Sequence, residues 1–264
     1  MKVALRARPP ADLTTAIVGV GLTAVTLLAW LGVLAQSGSG SGTMIGPRSP
    51  GFQIVALTAF LIAWLVMMAA MMLPSAAPLV LLYRVAGAGA RAVNTMFLVV
   101  GYLIVWVAFG LPTFAVQLAM TTAASDGSLV GRSLPYVVAV VLALAGLYQF
   151  TPLKKACLRQ CRSPLDFMVQ RWHGAGPLAA TRLGVEHGAY CVGCCWGLMA
   201  VLVVAGSMSL AWVTLIALLV FAEKVLPFGR RVGQLSGALL FLLAVVVAIR
   251  PDVAGLLRGT GMGM

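Results

Sequence analysis

Gly51–Leu73, GFQIVALTAFLIAWLVMMAAMML, runs for 23 residues without a charged side chain. A bilayer core about 30 Å thick is crossed by about 20 apolar residues in a helix, which satisfies its own backbone polar groups where no water can. The run reads as a membrane-spanning helix, and the rest of the chain has the same character. Of its 264 residues 61% are hydrophobic and 9% charged, whereas a soluble domain carries about 25% charged residues. The length suits one compact helical unit with no separate soluble domain.

Six further runs repeat the pattern, at 14–35, 95–123, 135–150, 188–207, 209–226 and 233–249. The fourth run is short, and the third is long enough to tilt or to break at Pro112. Lys2, Arg6 and Arg8 precede the first, but it is longer than the 7–15-residue apolar core of a signal peptide, so it counts as a span. The expected fold is all-α: a polytopic transmembrane helix bundle of about seven spans, one domain over 14–264 behind a cytoplasmic N-terminus at 1–13.

Loop charges test that count. With the N-terminus inside, 14 of the 18 Lys and Arg fall on the inside, and only Arg48, Arg132, Arg250 and Arg258 fall outside. This is the positive-inside bias, and it predicts N-in and C-out. The net charge of +12 is accordingly a topology signal, and no nucleic-acid partner is expected; the lipid bilayer is the first partner. The Gly/Ser-rich segment 36–50 reads as a flexible outside loop, 125–133 as a short outside turn, and GTGMGM at the C-terminus as a disordered tail. Segment 151–186 is the longest cytoplasmic connection, and within it SPLDFMVQRW (163–172) has the pattern of a basic amphipathic helix lying along the inner leaflet. Pro74, Pro152 and Pro227 each follow a descending run at a spacing of 75–78 residues, the trace of three helical-hairpin repeats.

Chemistry concentrates on one side. In HGAYCVGCCWGLM (187–199), His187, Cys191, Cys194 and Cys195 share one face of a helix, because positions three and four apart stack. An imidazole and three thiols form a soft-metal ligand set, and Met199 continues the next turn. In the second run Met67 and Met71 share a face, with Met68 and Met72 about 100° round from them. Pro74 is expected to end or bend that helix. Glu223 and Lys224 close the sixth run, and Cys157 and Cys161 lie one turn apart beside Lys154 and Lys155. The charge topology puts all of these near the cytoplasmic face. Lys154, Lys155 and Arg182 would favour thiolates there if close in space.

A plainer reading stands beside each. The methionines suit simple packing, the cysteines of 191–195 suit small buried apolar positions, and Cys157 and Cys161 suit reduced cytosolic thiols. His173 beside Trp172 suits an interfacial structural residue. Glu223 and Lys224 suit end-of-helix groups reaching into headgroups. Five cysteines, an odd number, argue against a fully paired disulfide framework.

Taken together, MMAAMMLPSAAP, YQFTPLKKACLRQCRSPLDF, HGAYCVGCCWGLM and FAEKVLP resemble the bacterial predicted metal-binding integral membrane protein family, a domain of unknown function. The resemblance runs from about Phe52 to Gly229, with Ser209 standing where the family pattern has Asn. It implies a multi-pass protein of the bacterial inner membrane. It also implies metal binding at the matching positions: Met67, Met68, Met71, Met72, Cys157, Cys161, His187, Cys191, Cys194, Cys195 and Glu223.

Thiolate and thioether donors select Cu(I), while Cys/His sets also take Zn(II), so copper is the expected ion and zinc the alternative. Two histidines in the whole chain argue against haem. The outside halves of the runs show no matching trail of polar residues or methionine, which favours binding, delivery or sensing over a pore. A metallochaperone or metalloenzyme is the implied protein partner. Two alternatives remain open: a membrane thiol–disulfide oxidoreductase in which Cys191 and Cys194 exchange with Cys157 and Cys161, and an assembly factor whose cysteines are structural.

Overall fold

The computed structural model describes residues 13–38, 50–86, 92–125, 129–206 and 209–257, which are helical almost throughout. The N-terminal segment 1–12, most of the Gly/Ser-rich loop (39–49), part of the expected turn (126–128) and the tail 258–264 lie outside the described residues. The helices follow as α1 (Leu13–Gly38), α2 (Pro50–Val85), α3 (Ala92–Ser125), α4 (Leu129–Tyr148), α5 (Pro152–Arg162), α6 (Pro164–Gln170), α7 (Pro177–Gly206), α8 (Leu210–Val225), α9 (Gly229–Ile249) and α10 (Asp252–Leu257). Among the described residues there is no strand.

Among the described residues, five helices contain stretches long and apolar enough to cross a membrane: Thr15–Ala35, Ile54–Val85, Val93–Ala123, Pro177–Ala205 and Gly229–Ile249. A bent pair, Ser133–Tyr148 with Pro152–Arg162 at 64°, raises the count to six if taken as one span. The all-α expectation holds. The expected seven runs differ from this count at two of them. The fourth turns sharply into α5, and the sixth forms α8, a helix of 16 residues, about 24 Å at the helical rise of 1.5 Å per residue.

The core is organised on α7. In its apolar window 61% of residues are buried, against 11% in the window of α1. Small residues let α3 press onto α7: a Cβ at Gly184 would strike the carbonyl of Leu98, and one at Gly101 would strike that of Thr181. A Cβ at Gly188 would meet Val105 at 3.0 Å. Backbones approach this closely only where hydrogen replaces a side chain. The crossing fixes Tyr102 of α3 beside the cysteine-bearing turns of α7. Gly146 and Gly237 bring α4 and α9 together in the same way.

Pro74 does not end its helix. α2 continues through Pro74 and Pro78 to Val85, so Met67–Met72 lie in mid-helix. Pro74 and Pro78 lack an amide, so the carbonyls of Ala70 and Pro74 lose their helical donors, a loss that a packed apolar helix tolerates. Ser75 Oγ donates to the Met72 carbonyl at 2.8 Å and Tyr102 donates to it at 3.4 Å. α3 likewise runs through Pro112. The repeat trace therefore loses its first member, since Pro74 closes nothing. Pro152 opens α5 under a Thr151 cap, and Pro227 follows the end of α8.

The connection 151–186 is mostly helical. It holds α5, α6 and the first ten residues of α7, which begins at Pro177. His187–Cys195 thus sit well inside that helix rather than in its first turns. α6 buries Phe167 and Met168 in a cluster with Leu79, Tyr83, Leu98 and Leu183, so its apolar face packs on the bundle.

Candidate metal centre

Three helices deliver sulfur to one core cluster. Met67, Met68, Met71 and Met72 of α2, Cys161 of α5, and Cys191, Cys194, Cys195 and Met199 of α7 are all buried in a single core cluster, with Cys157 packed against it. All five cysteines are free thiols. Cys161 Sγ lies 3.8 Å from Cys194 Sγ, across the α5–α7 contact. Cys194 and Cys195 turn their thiols back onto the Cys191 carbonyl, at 3.1 and 3.0 Å. That is the local bond a helical cysteine makes three or four residues after a carbonyl.

Cys191 is the junction. Its sulfur lies 3.1 Å from the Tyr102 hydroxyl and accepts from Lys224 Nζ at 2.9 Å. The same ammonium donates to Ser75 Oγ at 3.1 Å. α2, α3, α7 and α8 are therefore linked at one buried point by polar groups in an otherwise apolar core. Such groups are retained inside cores when they are paired.

Two expected ligands make other contacts. The Glu223 carboxylate takes a hydrogen bond from Lys154 Nζ at 2.6 Å and one from Ser236 at 3.4 Å. Lys154 also donates to Gln149. The His187 ring lies against Tyr102 and Phe167, with centroids 5.9 and 5.1 Å away, and its Nδ1 is buried without a hydrogen-bond partner. Nor are the expected cations at the thiols. Lys154 is committed to Glu223, Lys155 is exposed, and Arg182 donates to Glu186 at 3.2 Å. The cation at the sulfur is Lys224. Among the described residues no three His, Cys, Asp or Glu side chains are gathered closely enough to enclose an ion. Two of the thiols, Cys194 and Cys195, are turned to the backbone of their own helix.

A family model described as PpoB2, copper chaperone, matches residues 61–247. The chain belongs to this family. The match spans α2 to α9 and takes in every residue of the thiol region. It bears out the metal-handling side of the resemblance read from the sequence motifs; it carries no statement about a membrane. Comparison with curated proteins and with solved structures gave no match.

In this member of the copper chaperone family, sequence reading missed Lys224, Tyr102 and Ser75 as partners of the thiols. The local signal for Ser75 was a hydroxyl set in an apolar run, one residue after Pro74. Tyr102 was marked only by Gly101 beside it. His173, read as structural, meets Glu186 at 2.8 Å.

Proposed function

We propose that this protein is a membrane-embedded copper chaperone. It binds Cu(I) between α5 and α7 through the thiols of Cys161 and Cys194, beside Cys191, and passes the ion on by ligand exchange. The observation that carries the reading is the 3.8 Å approach of Cys161 Sγ and Cys194 Sγ from two different helices. With metal–sulfur bonds of about 2.3 Å, such a pair subtends about 110° at a bridging ion, which is ligand spacing. Thiolate softness favours Cu(I), and family membership supports copper over zinc.

Binding would draw Cys194 off the Cys191 carbonyl and release protons as thiols become thiolates. Met68, Met71 and Met72 in the same core offer neutral thioethers, donors that bind the ion without releasing a proton. The long apolar helices, with large side chains such as Leu28, Ile62, Leu147 and Leu239 facing outward, support a lipid environment.

The test is a titration of detergent-purified, reduced protein with Cu(I) against a competing chelator. Wild type should bind the ion, and Cys191/Cys194/Cys195→Ser together should abolish tight binding. Unchanged metal content in the triple variant would remove the basis of the reading. The same 3.8 Å pair favours one alternative, a dithiol that cycles through a disulfide. Protein isolated with those thiols oxidised, and unable to take up copper after reduction, would support that chemistry instead.

A further inference from the structure

Among the five thiols Cys157 alone is partly exposed; the other four are buried. It lies at the edge of an amphipathic helix. α5 buries Lys154, Leu158 and Cys161 and turns Leu153, Lys155 and Arg159 outward. Cys157 precedes Cys161 by one turn, so both follow the line where α5 meets α7.

Gly193 makes room for the outer thiol. A Cβ at that position would stand 2.8 Å from Cys157 Sγ, closer than a side-chain carbon is found to a sulfur. The Cys157 sulfur therefore rests on bare α7 backbone, one residue before Cys194. Tyr148, at the end of α4, donates to the Gly193 carbonyl and so holds the same stretch of backbone. α5 thus lays two thiols along α7: an outer one at Gly193 and an inner one 3.8 Å from Cys194.

We propose that Cys157 is the receiving thiol of this site. It captures Cu(I) from a Cu(I)–thiolate donor at the protein surface and hands it across Gly193 to Cys161 and Cys194. The proposal rests on the copper-binding reading above and adds its order of transfer. Copper stays monovalent throughout. At capture, the Cys157 thiol loses its proton as its sulfur–copper bond forms, and the donor sulfur regains one as its bond breaks. At hand-over, Cys161 and Cys194 lose their protons as they bind; Cys157 takes one back as it lets go, and the second leaves to solvent. Nothing is oxidised or reduced.

The experiment follows the rate of Cu(I) transfer from its bicinchoninate complex to the full-length protein in detergent, by loss of the complex's colour. Cys157→Ser should slow uptake by about tenfold, since exchange depends on an accessible attacking thiol. Final stoichiometry and competitive affinity should remain those of wild type. Gly193→Ala, which pushes the Cys157 side chain off α7 while keeping all five thiols, should slow uptake in the same way. Cys194→Ser should lower affinity. A Cys157→Ser protein that loads at the wild-type rate, or that loses affinity as Cys194→Ser does, would overturn the proposal; the second result would make Cys157 a resident ligand. A wild-type protein that takes up no Cu(I) would instead overturn the copper reading beneath it. Limited reaction of the metal-free protein with N-ethylmaleimide gives a second readout: Cys157 should be modified first. Modification of Cys194 at an equal rate would count against the order of transfer.

Discussion

Lys224 brings an ammonium group to within 2.9 Å of the Cys191 sulfur inside a buried core. In the sequence it stands three residues before Pro227 at the end of an apolar run, where a lysine ordinarily reaches for headgroups. The sulfur-bearing residues were legible because cysteine at helical spacing is uncommon and methionine in doublets marks a face. The role of Lys224 was not legible, because nothing local says that α5 will cover that end of α8. Its charge has a consequence for the proposed cargo. Cu(I) held by two thiolates carries one net negative charge, and a buried charge without a partner is costly. The Lys224 ammonium brings the sum to zero. Lys224→Met fills the same volume with apolar atoms, so the fold should survive. Cu(I) affinity should fall on the order of tenfold to hundredfold, each factor of ten being about 1.4 kcal/mol. Competition against a chelator of known affinity measures this, and an undiminished affinity would take Lys224 out of the site.

At the scale of elements, α5 decides the geometry. Lys154 and Glu223 pair at 2.6 Å with side chains 3% and 2% exposed, and Gln149 and Ser236 complete the network. Arg162, at the other end of α5, donates to the carbonyls of Glu223 and Leu226 at 2.9 and 2.8 Å. A cation there caps the orphan carbonyls and the negative dipole end of α8. α5 is thereby clasped to α8 and α9 while its cysteines lie on α7. The basic run KKACLRQCR reads as a loop at a membrane surface because four of its nine residues are charged. Its amphipathic pattern was present, but the partner of Lys154 lies 69 residues away in another helix, and one sequence does not reveal such a pairing. Removing one member of a buried pair strands the other. Glu223→Ala should therefore cost about 3–5 kcal/mol, seen as a lower unfolding temperature in detergent. Lys154→Met combined with Glu223→Leu should recover most of that loss, because an apolar pair strands no charge. A double variant as unstable as Glu223→Ala would mean that the network holds α5 by something other than this ion pair.

At the scale of the whole molecule, helix lengths and loop charges give different counts. Length and composition give five crossing helices, or six with the bent α4–α5 pair. The distribution of Lys and Arg calls for seven crossings with the N-terminus inside. The difference rests on α4 and α8. At about 24 Å, α8 is shorter than an average hydrocarbon core of about 30 Å. Short spans are accommodated by local thinning of the bilayer. Here α5 also covers the α8 end that carries Glu223 and Lys224, so that end need not reach lipid headgroups. α4 has 20 residues, enough to cross alone; if it does, α5 lies outside the span at its 64° angle. Seven crossings follow if both helices span, and they place the two termini on opposite sides. A fluorescent protein that folds only in the cytoplasm, fused after Met264, should stay dark, whereas alkaline phosphatase at the same position should be active. The reverse pattern would return the count to six. It would also make the Arg250 end of α9 cytoplasmic and remove the charge asymmetry as a guide to which face the thiols approach.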